Sequence, residues 1–166
     1  MPESNNQNFN HLKIHTQYSI CEGAIKIDNL KDFCKEKKIP CLGLSDTSNL
    51  CGALEFAENI SKVGTQPIIG TQIYFRFEDT TGLLPLIALN ENGYKKIIEL
   101  SSRSYLENDA LSDPHLDIKE LLIDTDGVSL LSGTIQVLFG TLFVKDRFYE
   151  ISKLYKSLSS KFNYNL

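Results

Sequence analysis

No stretch of this 166-residue sequence is long and apolar enough for a membrane-crossing helix. Residues 83–89 form an apolar run that Pro85 interrupts, far short of the roughly 20 residues a span requires. A basic excess is also missing. Lys and Arg number 17 against 21 Asp and Glu, a net charge of −4, which argues against a broad positive face gripping a phosphate backbone. There is no CxxC pair. Cys21, Cys34, Cys41 and Cys51 stand 13, 7 and 10 apart, a spacing that suits reduced thiols in a cytoplasmic protein better than a disulfide frame or a zinc clip. P-loop and GxGxxG patterns are absent, as are internal repeats and low-complexity linkers. Residues 1–8 are polar, without the basic-then-apolar pattern of a secretion signal, and are expected to be a flexible lead.

What is there fits one globular unit. Hydrophobic residues make up 42% and charged residues 23%, and a chain this long can bury roughly 70% of its unfolded surface. Residues 9–166 are expected to form a single α/β domain. Period-2 alternation of Phe9, Leu12 and Ile14 predicts a strand over 8–16. Residues 25–38 read as a helix, with Asp28 in its first turn and Lys35, Lys37 and Lys38 in its last, and Pro40 ends it before a buried strand at 41–44. Leu50, Leu54, Ala57 and Ile60 predict one face of a helix over 49–63, with Gly64 as its C-cap. Strands follow at 67–77 and 83–89. A helix over 91–106 is expected to face inward with Tyr94, Ile97, Ile98 and Ser101. A short helix at 118–123, a strand at 127–131 and a mostly helical stretch over 135–162 complete the reading, with something extended beginning at 163–166. Strands alternating with helices imply parallel pairing and right-handed crossovers. An open doubly wound sheet and a barrel both fit this periodicity.

Six segments carry a resemblance. His11-Leu12-Lys13-Ile14-His15-Thr16-Gln17-Tyr18-Ser19-Ile20-Cys21-Glu22-Gly23-Ala24 resembles the opening motif of PHP (polymerase and histidinol phosphatase) domains. It is similar in particular to the version at the front of the bacterial DNA polymerase III alpha subunit. Leu42-Gly43-Leu44-Ser45-Asp46-Thr47-Ser48-Asn49-Leu50-Cys51-Gly52-Ala53 resembles the second motif and Gln66-Pro67-Ile68-Ile69-Gly70-Thr71-Gln72-Ile73-Tyr74 the third. Leu86-Ile87-Ala88-Leu89-Asn90-Glu91-Asn92-Gly93-Tyr94, Ser101-Ser102-Arg103-Ser104-Tyr105-Leu106-Glu107 and Gly127-Val128-Ser129-Leu130-Leu131-Ser132-Gly133-Thr134 follow in the family's order. The resemblance implies a distorted (β/α)7 TIM-like barrel, of which this chain would contain most but not all.

Members with an active site hold a metal cluster at the C-terminal strand ends, on imidazole and carboxylate ligands that generate a metal-bound hydroxide for phosphoester hydrolysis. Carried over residue by residue, the resemblance implies a damaged set. Lys13 stands where a histidine belongs, and a protonated lysine has no lone pair. His15 is retained, and Glu22 replaces an aspartate. After Asp46, Thr47 stands in place of a histidine. Gln72 replaces a glutamate, Leu83 a histidine, and Thr134 a cysteine or histidine. Five of the seven ligand positions are lost. The expectation is a vestigial site with no catalytic residue and no bound metal, Mg2+ being needed only by the polymerase part of a parent chain.

By the same resemblance, the segment is expected to be a non-catalytic scaffold at the N-terminus of a DNA-directed DNA polymerase. Its partners would be the remainder of the alpha subunit, a proofreading exonuclease subunit and the replisome, with DNA reached through the parent chain. The alternative is a metal-dependent phosphoesterase or 3′–5′ exonuclease. Asp46 is expected to cap a helix or anchor the turn at 47–49, and Lys13 either to pair internally with Glu22 or Asp46 or to face solvent. His11 and His115 read as surface residues. Because residues 162–166 look like the start of a strand, a truncated barrel is expected, with a tendency to self-associate.

Overall fold

A computed structural model of the chain describes residues 9–109, 111–133 and 135–162. Eleven elements follow in order: α1 (Ile27–Lys37), β1 (Cys41–Thr47), α2 (Ala53–Ser61), β2 (Gln66–Phe77), β3 (Thr80–Ala88), α3 (Glu91–Leu106), β4 (Leu116–Asp117), α4 (Ile118–Ile123), β5 (Val128–Leu130), α5 (Leu138–Val144) and α6 (Phe148–Phe162). The helices expected at 91–106 and 118–123 both form. Asp117 caps α4 by accepting the Lys119 N–H, and Asn90 caps α3 by accepting the Gly93 N–H. Among the described residues no helix is long and apolar enough to cross a membrane.

The sheet is mixed, which corrects the expectation of parallel pairing throughout. Its order is β1-β2-β3-β5, with the short β4 added to β2. β1 and β2 are parallel, joined by the α2 crossover. β2 and β3, however, form an antiparallel hairpin, and β3 pairs with β5 antiparallel as well. Chain length explains the hairpin. Only Glu78 and Asp79 separate β2 from β3, whereas a parallel crossover takes a dozen or more residues. Glu78 takes the left-handed backbone (φ 57°) that closes so tight a turn. The described strands make an open sheet.

Three further expectations shift. Residues 9–16 make isolated bridges, Ile14 to Leu44 and Thr16 to Ile25, in place of a full strand. The segment still lies along β1: the Gly43 N–H donates to His11 O at 2.7 Å and the Ser45 N–H to Ile14 O at 2.8 Å. Glycine at 43 allows that approach, since a Cβ there would sit 2.6 Å from the Leu12 Cα. Helix α2 begins at Ala53, because Asn49 spends its side chain on a turn, donating to Tyr18 O and Thr47 O and accepting the Cys51 N–H. The buried face is therefore Ala53, Phe56 and Ile60, and Leu54 is 72% exposed. On α3, Leu100 and Ser104 are buried where Ile98 was expected, and Ile98 is exposed. Residues 163–166 lie outside the described residues.

Two apolar clusters hold these layers. Ile27, Leu30, Cys34, Leu42, Leu44, Phe56 and Ile60 join α1 and α2 to one part of the sheet. Phe75, Leu84, Leu86, Ile97, Leu100, Leu121, Leu154 and Leu158 join β2, β3 and helices α3, α4 and α6. Each fully buried side chain of this size contributes about 1.5–3 kcal/mol.

Candidate functional site

Strand register brings the expected positions together. Lys13 and His15 share one face of the segment beside β1, being two residues apart. Thr47, at the end of β1, pairs with Gln72 of β2, which pairs in turn with Pro85 of β3, and Tyr74 pairs with Leu83. A cavity of about 500 Å³ results, lined by Lys13, His15, Glu22, Gln72, Tyr74, Leu83 and Gln136. Five of the eight positions singled out from the sequence meet there. Thr134 lies outside the described residues. Asp46 and Thr47 are not among the cavity's lining residues.

Asp46 is fully buried and caps no helix: the N-cap of α2 is Gly52, and no side chain caps that end. Its carboxylate instead clasps the loop after His15. Oδ1 accepts the Thr16 N–H at 2.6 Å and the Ser19 hydroxyl at 2.7 Å, and Oδ2 accepts the Thr16 hydroxyl at 2.7 Å. All three bonds go to Thr16 and Ser19, so this carboxylate is spent on the protein's own groups.

Thr47 joins two of the lining residues. Its hydroxyl donates to Glu22 and accepts the Gln72 amide N–H at 2.7 Å. Because Glu22 only accepts, the proton order runs from Gln72 to Thr47 to Glu22. That order fixes the Gln72 amide and leaves its Oε1 buried without a partner. A buried orphan acceptor of this kind is uncommon and costs about 1–3 kcal/mol.

Charge in the cavity is mixed. Burial lowers the Lys13 pKa from its ordinary value, against the pull of Glu22, and Lys13 forms no ion pair among the described residues. Burial likewise pushes His15 below the usual histidine value; the Lys13 charge adds to this, while Glu22 and Asp46 oppose it. The His15 Nδ1 lies 3.8 Å from Glu22 Oε2. Burial first, and the negative charge of Glu22 second, raise the Tyr74 hydroxyl. As electron-pair donors for a cation, the wall offers His15 and Glu22 beside an ammonium, a neutral amide and the side chain of Leu83. Among the described residues no three His, Cys, Asp or Glu side chains group as a metal-holding set.

Tyr74 and Gln136 were not singled out for the cavity. The alternation of β2 puts residue 74 on the face of residue 72, so Tyr74 was legible in principle; Gln136 carried no local signal. His11 is exposed, and His115 is half-buried with its Nδ1 2.8 Å from Asp113 O. All four cysteines are free thiols. A separate groove of about 450 Å³, walled by Ala53, Leu54, Ala57, Ile68 and Leu89, brings only Glu91 as a charged group.

A family model described as PHP domain matches residues 11–166. The DNA polymerase III subunit alpha of Caulobacter vibrioides is 35% identical over 161 residues, which cover 92% of this chain and 14% of the relative. That of Thermus aquaticus is 33% identical over 153 residues, covering 84% of this chain and 12% of the relative. The chain thus spans about one-eighth of the length of these curated relatives. An amidohydrolase structure from Chromobacterium violaceum superposes with a TM-score of 0.48 at 15% identity, covering 58% of this chain and 33% of that one.

Proposed function

The chain belongs to the PHP domain family, and from that premise we propose that it is the N-terminal PHP segment of a DNA polymerase III alpha subunit whose hydrolytic mouth has been emptied. The observation that carries this reading is the wall of the 500 Å³ cavity, where Lys13, Gln72 and Leu83 stand among His15 and Glu22. The donor set does not fit a metal cluster. A cationic ammonium repels divalent ions, an aliphatic side chain supplies no lone pair, and Thr47 and Asp46 spend their oxygens on internal hydrogen bonds. The vestigial positions are Lys13, His15, Glu22, Asp46, Thr47, Gln72, Leu83 and Thr134, and none is assigned a catalytic role.

On this reading the domain works as a scaffold. The finer architecture would be the (β/α)7 barrel of the family, its described strands forming part of the wall. Template-directed DNA synthesis, with Mg2+, belongs to the rest of a parent polymerase, and the segment docks a separate proofreading exonuclease subunit in the cytoplasm. The identity to alpha subunits over most of this chain supports that context. Co-elution with the exonuclease on size-exclusion chromatography tests the docking role. A stable complex that surface substitutions weaken is expected; failure of the two to co-elute contradicts it.

A further inference from the structure

We propose that Ser19 fixes the tautomer of His15, so that the imidazole holds its proton on Nδ1 and turns a bare Nε2 lone pair toward the cavity. The argument counts protons. Ser19 Oγ lies 2.7 Å from Asp46 Oδ1, and a carboxylate only accepts, so the single hydroxyl proton of Ser19 goes to Asp46. The same oxygen accepts the Thr47 backbone N–H at 3.0 Å. What remains on Ser19 Oγ is a lone pair, and His15 Nδ1 stands 3.3 Å from it. Two lone pairs cannot bond, so Nδ1 is the protonated nitrogen. Glu22 Oε2, 3.8 Å from the same Nδ1, is a second acceptor on that side and favours the same tautomer.

Two proton chains therefore leave the cavity wall and end on carboxylates, one from His15 through Ser19 to Asp46, the other from Gln72 through Thr47 to Glu22. They meet where the Thr47 N–H binds Ser19. Ser19 acts through His15 and is a positioning residue: it decides which face of the ring is an acceptor. Nε2 has no hydrogen-bond partner among the described residues, and His15 lines the cavity. The histidine side of the cavity thus suits a hydrogen-bond donor, such as an ammonium or amide N–H, and not a phosphate oxygen. This placement of protons stands whether or not the cavity has lost hydrolysis.

Long-range 1H–15N correlation spectra of protein labelled with [15N]histidine, at a pH where His15 is neutral, report which ring nitrogen carries the proton. Free imidazole side chains favour Nε2–H, and exposed His11 supplies that reference in the same sample. His15 is expected to show the opposite, Nδ1–H pattern. Ser19→Ala should move it toward the His11 pattern, and Ser19→Thr, which keeps the hydroxyl, should retain Nδ1–H. A wild-type His15 protonated on Nε2 overturns the proposal, as does an unchanged pattern in folded Ser19→Ala. If the alanine variant fails to fold, the wild-type spectrum decides alone.

Discussion

Asp46 holds Thr16 from two sides, accepting its backbone N–H on Oδ1 and its hydroxyl on Oδ2 at 2.6 and 2.7 Å, across thirty residues of sequence. This is the joint that ties the loop bearing His15 and Glu22 to the end of β1. Asp46→Ala leaves the Thr16 N–H and the Ser19 hydroxyl buried without their acceptor. The expected loss is on the order of 3 kcal/mol, read from the urea unfolding midpoint with an unchanged slope. A loss below about 1 kcal/mol, the size of an ordinary surface change, contradicts the joint.

Gly43→Ala tests how that loop reaches its place. The added methyl would stand 2.6 Å from the Leu12 Cα, and 2.6 Å from the Leu12 carbonyl oxygen. Backbone cannot yield as a flexible side chain does, so overpacking should cost about 1–3 kcal/mol. The His15 resonances should move as well, because the segment carrying them is pushed off β1. A neutral substitution with unmoved resonances would show that the segment does not pack where it is described.

The ionisation of His15 gives a pH prediction. Its folded-state pKa lies below the ordinary 6.5, through burial and then the Lys13 charge. The unfolded chain therefore takes up this proton first. The stability that depends on a neutral His15 is present above about pH 6.5 and is lost as pH falls through the lower folded value. Lys13→Met removes the repulsion and should raise the His15 pKa, narrowing that window. An NMR titration of both proteins measures it; an unchanged or lower pKa in the variant would contradict the coupling.

Arg147 clamps α6 to the β2–β3 hairpin. Its guanidinium meets Asp79, Glu78 and Glu150 and donates to Thr80 Oγ1 at 2.9 Å, and Lys153 adds a 2.7 Å bond to Glu78. Hydrogen bonding by Asp79 raises the Arg147 pKa, and hydrogen bonding to Arg147 lowers that of Asp79. Arg147→Ala should speed amide exchange at residues 77–80 and at the start of α6. Raising the salt concentration should reproduce part of that effect in the wild type. Equal exchange in variant and wild type would mean that apolar packing alone holds the two elements.

Local signals carried most of the fold. The span of α3, the short helix at 118–123 and the strand at 67–77 were legible because such local signals are set by neighbouring residues. The hairpin was misread because the sequence between Phe77 and Thr80 lacks the usual Asn-Gly or Asp-Gly signature, its left-handed position being taken by Glu78. Leu54 was assigned to the wrong face because Asn49 diverts its side chain into a turn, which shifts the helical phase. At the site, the resemblance to PHP motifs singled out Lys13, His15, Glu22, Gln72 and Leu83, which line one cavity. The burial of Asp46 against Thr16 and Ser19 was not legible, since it is made by residues some thirty positions apart and no single-sequence pattern records it.

Metal stoichiometry of the purified chain, after incubation with Mn2+ or Zn2+ and removal of excess, bears most directly on the emptied mouth. The account predicts fewer than one equivalent retained, unchanged by His15→Ala, with no phosphodiester hydrolysis above background. Two or more equivalents, lost together with hydrolysis in His15→Ala, would contradict it.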